Sequence, residues 1–121
     1  MSTLDAEQHG RDAELERFAR YPSLADRVVV ITGGASGIGA SLVAHFCAQD
    51  ASVAFIDLAR APAQQLCRDI RAHGLPTPLA LTADVRRIDA LRAALARTEV
   101  VLGPISVLVN NAGNCSRAAT A

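Results

Sequence analysis

The sequence predicts an α/β fold, a doubly wound parallel sheet whose elements run β-α-β-α-β-α-β. Three observations predict it. Short apolar runs alternate with amphipathic helical stretches along most of the chain, and parallel strands need helical crossovers of that kind. The runs Val28-Val29-Val30-Ile31 and Val53-Ala54-Phe55-Ile56 are apolar at successive positions, as strands covered on both faces are. The first run passes through Thr32-Gly33-Gly34-Ala35-Ser36-Gly37-Ile38-Gly39 into a periodic stretch marked by Leu42, Val43 and Phe46, so a glycine-rich loop joins strand to helix.

Residues 1–25 read as a leader, either a short helix with Leu15 and Phe18 on one edge or a solvated segment. Pro22 and Asp26-Arg27 punctuate the approach to a first strand at Val28 to Thr32. The helix after the glycine loop runs to about Gln49, and Ser52 to Asp57 forms a second strand that closes on a carboxylate. Pro62 suits a helix start, Leu66 and Ile70 give an i,i+4 stripe, and Gly74 with Pro76 and Pro78 stops it. Leu79 to Asp84 reads as the third strand. Ile88, Leu91 and Leu95 mark a third helix, begun near Asp89 and ended by Gly103-Pro104. Ile105 to Val109 is the fourth strand, followed by Asn110-Asn111-Ala112-Gly113 and an unpatterned tail at 114–121. Residues 26–113 therefore form one Rossmann-type nucleotide-binding unit, incomplete at four strands.

Composition narrows the ligand. Half of the 121 residues are hydrophobic and the formal net charge is zero, with the charges scattered. No basic face points to nucleic acid and no polybasic segment to a membrane surface. The amino-terminal residues lack the apolar core of a signal peptide, and no apolar run approaches the roughly 20 residues of a membrane span. The expectation is a cytoplasmic protein with a small-molecule ligand. Cys47, Cys67 and Cys115 are odd in number and lack a Cys-x-x-Cys pair, so three free thiols are expected, with no metal site.

The loop carries the chemistry. A dinucleotide's pyrophosphate is anionic and needs backbone N–H donors, which a helix amino terminus supplies together with its positive dipole end. Gly33 allows the turn, Gly37 lets the backbone approach a phosphate, and Gly39 lets the helix pack on the sheet. A spacing of G-x3-G-x-G departs from G-x-G-x-x-G, and a P-loop is excluded because all twelve basic residues are arginine. Asp57, about 20 residues beyond the loop at the end of the second strand, suits the hydroxyls of an adenosine ribose and would repel a 2′-phosphate. That favours NAD over NADP, tempered by Arg60 close by, which can pair with a phosphate.

Taken together, TGGASGIG at Thr32 to Gly39, Asp84-Val85 after the third strand and NNAG at Asn110 to Gly113 resemble the short-chain dehydrogenase/reductase family, over about Val28 to Gly113. The resemblance implies a nicotinamide cofactor and hydride transfer between it and an alcohol or carbonyl substrate. By the same resemblance, Asp84 and Val85 flank the adenine ring, Asn110 braces the sheet, and Asn111, Ala112 and Gly113 run along the cofactor's ribose. Ser36 and Ile38 of the loop join that cofactor set. A plain helix cap is the alternative for Asp84, and a structural role is the alternative for NNAG. Tyr21-Pro22-Ser23-Leu24, Asn114 and Arg117 are similar to a branch that oxidises aldoses such as xylose, so a sugar leads the substrate classes. Full-length relatives of this kind are expected to be homo-oligomeric.

The family's catalytic groups are a serine and a Tyr-x-x-x-Lys pair, in which the lysine's charge keeps the tyrosinate accessible near neutral pH. Here the only tyrosine is Tyr21, ahead of the loop, and Ala25 stands where the lysine would be. Arginine does not replace that lysine, and Ser116 lies in the tail. The expectation is a chain cut short before its catalytic residues and inactive alone, or, alternatively, a non-catalytic NAD-binding or regulatory module. A methyltransferase-type sheet using S-adenosylmethionine fits TGGASGIG with NNAG poorly.

Overall fold

A computed structural model describes residues 22–112. Residues 1–21 and 113–121, and with them Tyr21, Gly113, Asn114, Cys115, Ser116 and Arg117, lie outside the described residues. After a single 3-10 turn at Pro22–Leu24, the elements are β1 (Val28–Thr32), α1 (Gly37–Ala48), β2 (Ser52–Asp57), α2 (Arg60–Ala72), β3 (Leu79–Thr82), α3 (Ile88–Leu102) and β4 (Val107–Asn110). All pairings are parallel and the order is β3-β2-β1-β4.

Both sheet faces are covered, which is why β1 and β2 tolerate no polar alternation. On one face Val29, Ile31, Val53 and Phe55 pack with Val43 and Cys47 of α1 and Ala63 and Ile70 of α2. On the other, Val30, Ala54 and Ile56 meet Ala94 of α3, with Leu91, Leu95 and Leu102 against them. The chain therefore winds out along one face from β1 to β3, then crosses to β4 by the other face. That reversal sets β1 between β2 and β4 and opens a crevice at the carboxyl ends of β1 and β4, the place where open α/β sheets bind ligands.

Three boundaries differ from the sequence reading. β3 stops at Thr82, not Asp84, because β2, its only neighbour among the described residues, ends at Asp57, the register partner of Thr82. β4 begins at Val107 rather than Ile105 and takes in Asn110, since β1 offers partners only from Val29 to Thr32. α2 begins at Arg60, placing Pro62 within the first turn, where its missing N–H would have no helical acceptor anyway.

Cys47 and Cys67 are free thiols. Burial pushes the Cys47 thiol up to about 12, with the nearby Cys67 adding to it, and burial raises Cys67 as well. Neither is an activated nucleophile. Among the described residues, no helix is long and apolar enough to cross a membrane.

Candidate cofactor site

The four segments the sequence singled out converge at the carboxyl ends of the strands. β1 ends in Thr32, which is buried at 4% exposure although it is polar. Its hydroxyl accepts the N–H groups of Asn111 (3.0 Å) and Ala112 (3.1 Å) and donates to Asn110 Oδ1 (3.1 Å). A single side chain thus ties the end of β1 to the turn after β4. The loop is held again from two sides: Gly33 N–H donates to the Ile56 carbonyl at 2.7 Å, and Asn111 Nδ2 donates to the Gly33 carbonyl at 3.1 Å.

Gly39 sits against this brace. A Cβ there would collide with the Gly33 carbonyl oxygen and lie 2.9 Å from Asn111 Nδ2. The close approach that requires glycine is therefore between the first turn of α1 and the loop before it, where the sequence reading assigns it to helix on sheet. Gly37 is the opposite case. It holds φ +59, a left-handed backbone, yet a Cβ would meet nothing within 4 Å. The space in front of it is open.

Ser36 is the N-cap residue of α1, in extended conformation and without a side-chain cap hydrogen bond. The first-turn N–H groups of a helix have no intrahelical acceptor, so those of Gly37, Ile38 and Gly39 stay uncapped beside the open space. Ser36 and Ile38 are exposed there, Ile38 at 74%. A helix dipole and unspent donors at one point make an anion-binding end.

Asp57 closes β2, half-buried, and its carboxylate accepts the Ala35 N–H on Oδ2 (3.0 Å) and the Ala59 N–H on Oδ1 (2.9 Å). It therefore anchors the glycine loop in addition to facing the crevice. Each oxygen keeps a lone pair for another donor. The next strand end carries Asp84, which is not the N-cap of α3; that position belongs to Arg87. Instead Asp84 organises the turn after β3, accepting the Arg86 N–H on Oδ1 and the Arg87 N–H on its carbonyl, both at 3.0 Å. The Arg86 guanidinium forks onto it through Nε to Oδ1 and Nη2 to Oδ2, both at 2.9 Å. Hydrogen bonds from that side chain and its backbone hold the carboxyl down at about 2. Val85 is half-buried beside it, packed toward the Val30, Ala54 and Ile56 face.

The structure thus brings together Gly33, Ser36, Gly37, Ile38 and Gly39 with Asn111 and Ala112 across the β1–β4 crevice, and sets Asp57 and Asp84 on neighbouring strand ends. Two residues carry more than the sequence suggested. Thr32 reads as the last member of an apolar run; a buried hydroxyl closing such a run was the available signal, since it must find partners. Arg86 left no signal in sequence, because exposed arginines are common.

The family model described as short chain dehydrogenase matches residues 27–121. The chain belongs to that family. It is 44% identical over 101 residues to the "Probable galactose dehydrogenase" of Rhizobium meliloti, covering 84% of this chain and 40% of that protein. Against the D-xylose 1-dehydrogenase of Caulobacter vibrioides it is 42% identical over 99 residues, with 82% and 38% covered. Among solved structures, the citronellol catabolism dehydrogenase of Pseudomonas aeruginosa superposes with a TM-score of 0.72 at 24% identity, over 77% of this chain and 38% of that one, a likeness of fold. The chain thus spans about two fifths of the length of the curated relatives it matches. Short-chain dehydrogenases are oxidoreductases that bind nicotinamide cofactors.

Proposed function

We propose that residues 26–113 are the NAD-binding part of an oxidoreductase that moves hydride between a nicotinamide cofactor and an alcohol or carbonyl substrate, with a sugar the leading substrate class. The observation that carries it is the uncapped amino terminus of α1, where Gly37 turns its backbone toward open space beside the loop that Asp57 anchors. A nicotinamide dinucleotide fits these residues: its pyrophosphate suits the N–H groups of 37–39, and its adenosine ribose the two open lone pairs of Asp57.

In this reading Gly33 and Gly39 shape the loop and Ser36 and Ile38 border the phosphates. Asp84 and Val85 border the adenine, and Asn111, Ala112 and Gly113 follow the ribose on the nicotinamide side. When bound, the cofactor supplies the hydride acceptor or donor. Asp57 favours NAD, because a 2′-phosphate brought to its carboxylate would meet like charge in a half-buried site. The galactose and xylose dehydrogenases among the relatives support a sugar substrate.

Residues 1–121 contain no lysine, and their one tyrosine precedes the loop. Binding without turnover is therefore expected of them. Calorimetric titration of the purified chain with NAD and NADP, followed by absorbance at the NADH band with NAD and a panel of aldoses, tests both parts. NAD binding tighter than NADP with no NADH formed is the expected result. Failure to bind either dinucleotide overturns the cofactor reading, and NADH formation with any aldose overturns the inactivity.

A further inference from the structure

The two carboxylates at the ends of β2 and β3 are occupied differently. Asp57 accepts one backbone N–H on each oxygen, which leaves two of a carboxylate's roughly four lone-pair sites open. Asp84 accepts two N–H groups on Oδ1 and one on Oδ2, all three from Arg86. One acceptor site is left, on Oδ2. The bidentate fork also fixes the plane of the carboxylate, because two parallel N–H···O bonds resist rotation in a way that a single bond does not.

Asp84 stands two residues past the Asp57–Thr82 register pair, and the intervening Ala83 N–H donates to the Asp57 carbonyl at 3.3 Å, so both residues lie at the carboxyl ends of adjacent strands. The Arg86 side chain is 72% exposed and that of Asp84 only 24%, so the carboxylate is sheltered while the guanidinium backs it from the solvent side. We propose that Arg86 is a positioning residue that fixes Asp84 with one open acceptor, so that the site selects a purine carrying an exocyclic amine over one carrying a carbonyl at that position. This rests on the reading of Asp84 as the adenine neighbour.

The physical reason lies in the penalty for the wrong base. A carboxylate held in place has no escape from a facing carbonyl oxygen, and a site built to accept an N–H rejects the analogue that lacks it. The fork's donors on that side are already spent on the carboxylate, so they offer the carbonyl nothing. Without the Arg86 guanidinium only the backbone N–H of residue 86 still holds Oδ1, so the carboxylate is free to rotate about that single bond and the penalty falls. An exposed ion pair contributes little to folding, so replacing Arg86 leaves the fold intact.

The test is titration of the full chain with NAD and with nicotinamide hypoxanthine dinucleotide, which differ in that amine. Wild type is expected to prefer NAD by about tenfold, the worth of one hydrogen bond to a charged acceptor. Arg86→Gln lowers that ratio to about threefold or less, and Arg86→Lys, which restores charge without the fork, does not recover it. Arg87→Gln is the control: the Arg87 side chain acts on the Asp84 carboxylate through charge alone, and its backbone N–H to the Asp84 carbonyl survives the substitution, so the ratio stays at the wild-type value. Asp84→Asn, whose amide both donates and accepts, brings the two dinucleotides to near-equal affinity. An unchanged ratio in Arg86→Gln, full recovery in Arg86→Lys, or an equal drop in Arg87→Gln overturns the role of Arg86. Binding of neither dinucleotide by wild type overturns the cofactor reading beneath it.

Discussion

The central strands β1 and β2 differ from the outer strands β3 and β4 in burial far more than in composition. Val28 to Thr32 is buried at every position and β2 at its four interior ones, whereas no residue of β3 or β4 is buried. Yet Val107-Leu108-Val109 is as apolar as Val28-Val29-Val30. Place in the sheet, not hydrophobicity, separates them: β1 and β2 have a neighbour on each side and helices on each face, while Leu108 remains 56% exposed on the α3 side of β4. The rigid centre thereby supplies the fixed ends from which the loops at 33–39 and 110–112 are hung.

Truncation at the centre should have the largest effect. Phe55→Ala removes the largest fully buried side chain and is expected to cost about 3–5 kcal/mol in urea unfolding, whereas Leu108→Ser should stay within about 0.5 kcal/mol. Similar losses at both positions would erase the distinction. A smaller effect is expected where centre meets loop. Thr32→Val keeps the volume but strands the Asn111 and Ala112 N–H groups, at about 1–3 kcal/mol; Thr32→Ser, which keeps the hydroxyl, should recover most of it. Equal stability of the valine and serine variants would show that the hydroxyl ties nothing together.

The smallest effect belongs to the margin and is read by pH. Pairing with Arg86 lowers the Asp84 carboxyl from 3.8 to about 2. A depressed carboxyl stabilises the folded state above its unfolded value and loses that contribution as pH falls, so the window runs from about 3.8 to about 2. Carbon NMR of the Asp84 carboxyl should show it charged through pH 4, and Arg86→Gln should return its titration toward 3.8. A wild-type midpoint already near 3.8 would mean that the fork is not formed in solution.

Local pattern carried the elements and part of the site. Apolar runs located all four strands: burial on both faces leaves no polar alternation in β1 and β2, and β3 and β4 keep apolar runs although none of their residues is buried. The helices followed from their stripes and from the glycine and proline stops. Boundaries were read less well at β3 and β4, where a strand ends when its neighbour does and no residue of its own says so. The glycine loop and the carboxylate at Asp57 were visible because strand, loop and helix arrive in sequence order. The brace from Thr32 to Asn111, the pressure of Gly33 on Gly39 and the grip of Arg86 on Asp84 were not.

By itself, the sequence determined that this chain is a parallel α/β sheet with a glycine loop opening its first long helix and a carboxylate closing the next strand, since backbone sterics and hydrophobic period act over a few residues. Only the tertiary structure decided that β4 lies beside β1, which carries Asn111 across 78 residues to the Gly33 carbonyl. Hydrogen bonds between segments so far apart depend on strand order, and strand order is settled by which faces the crossover helices cover.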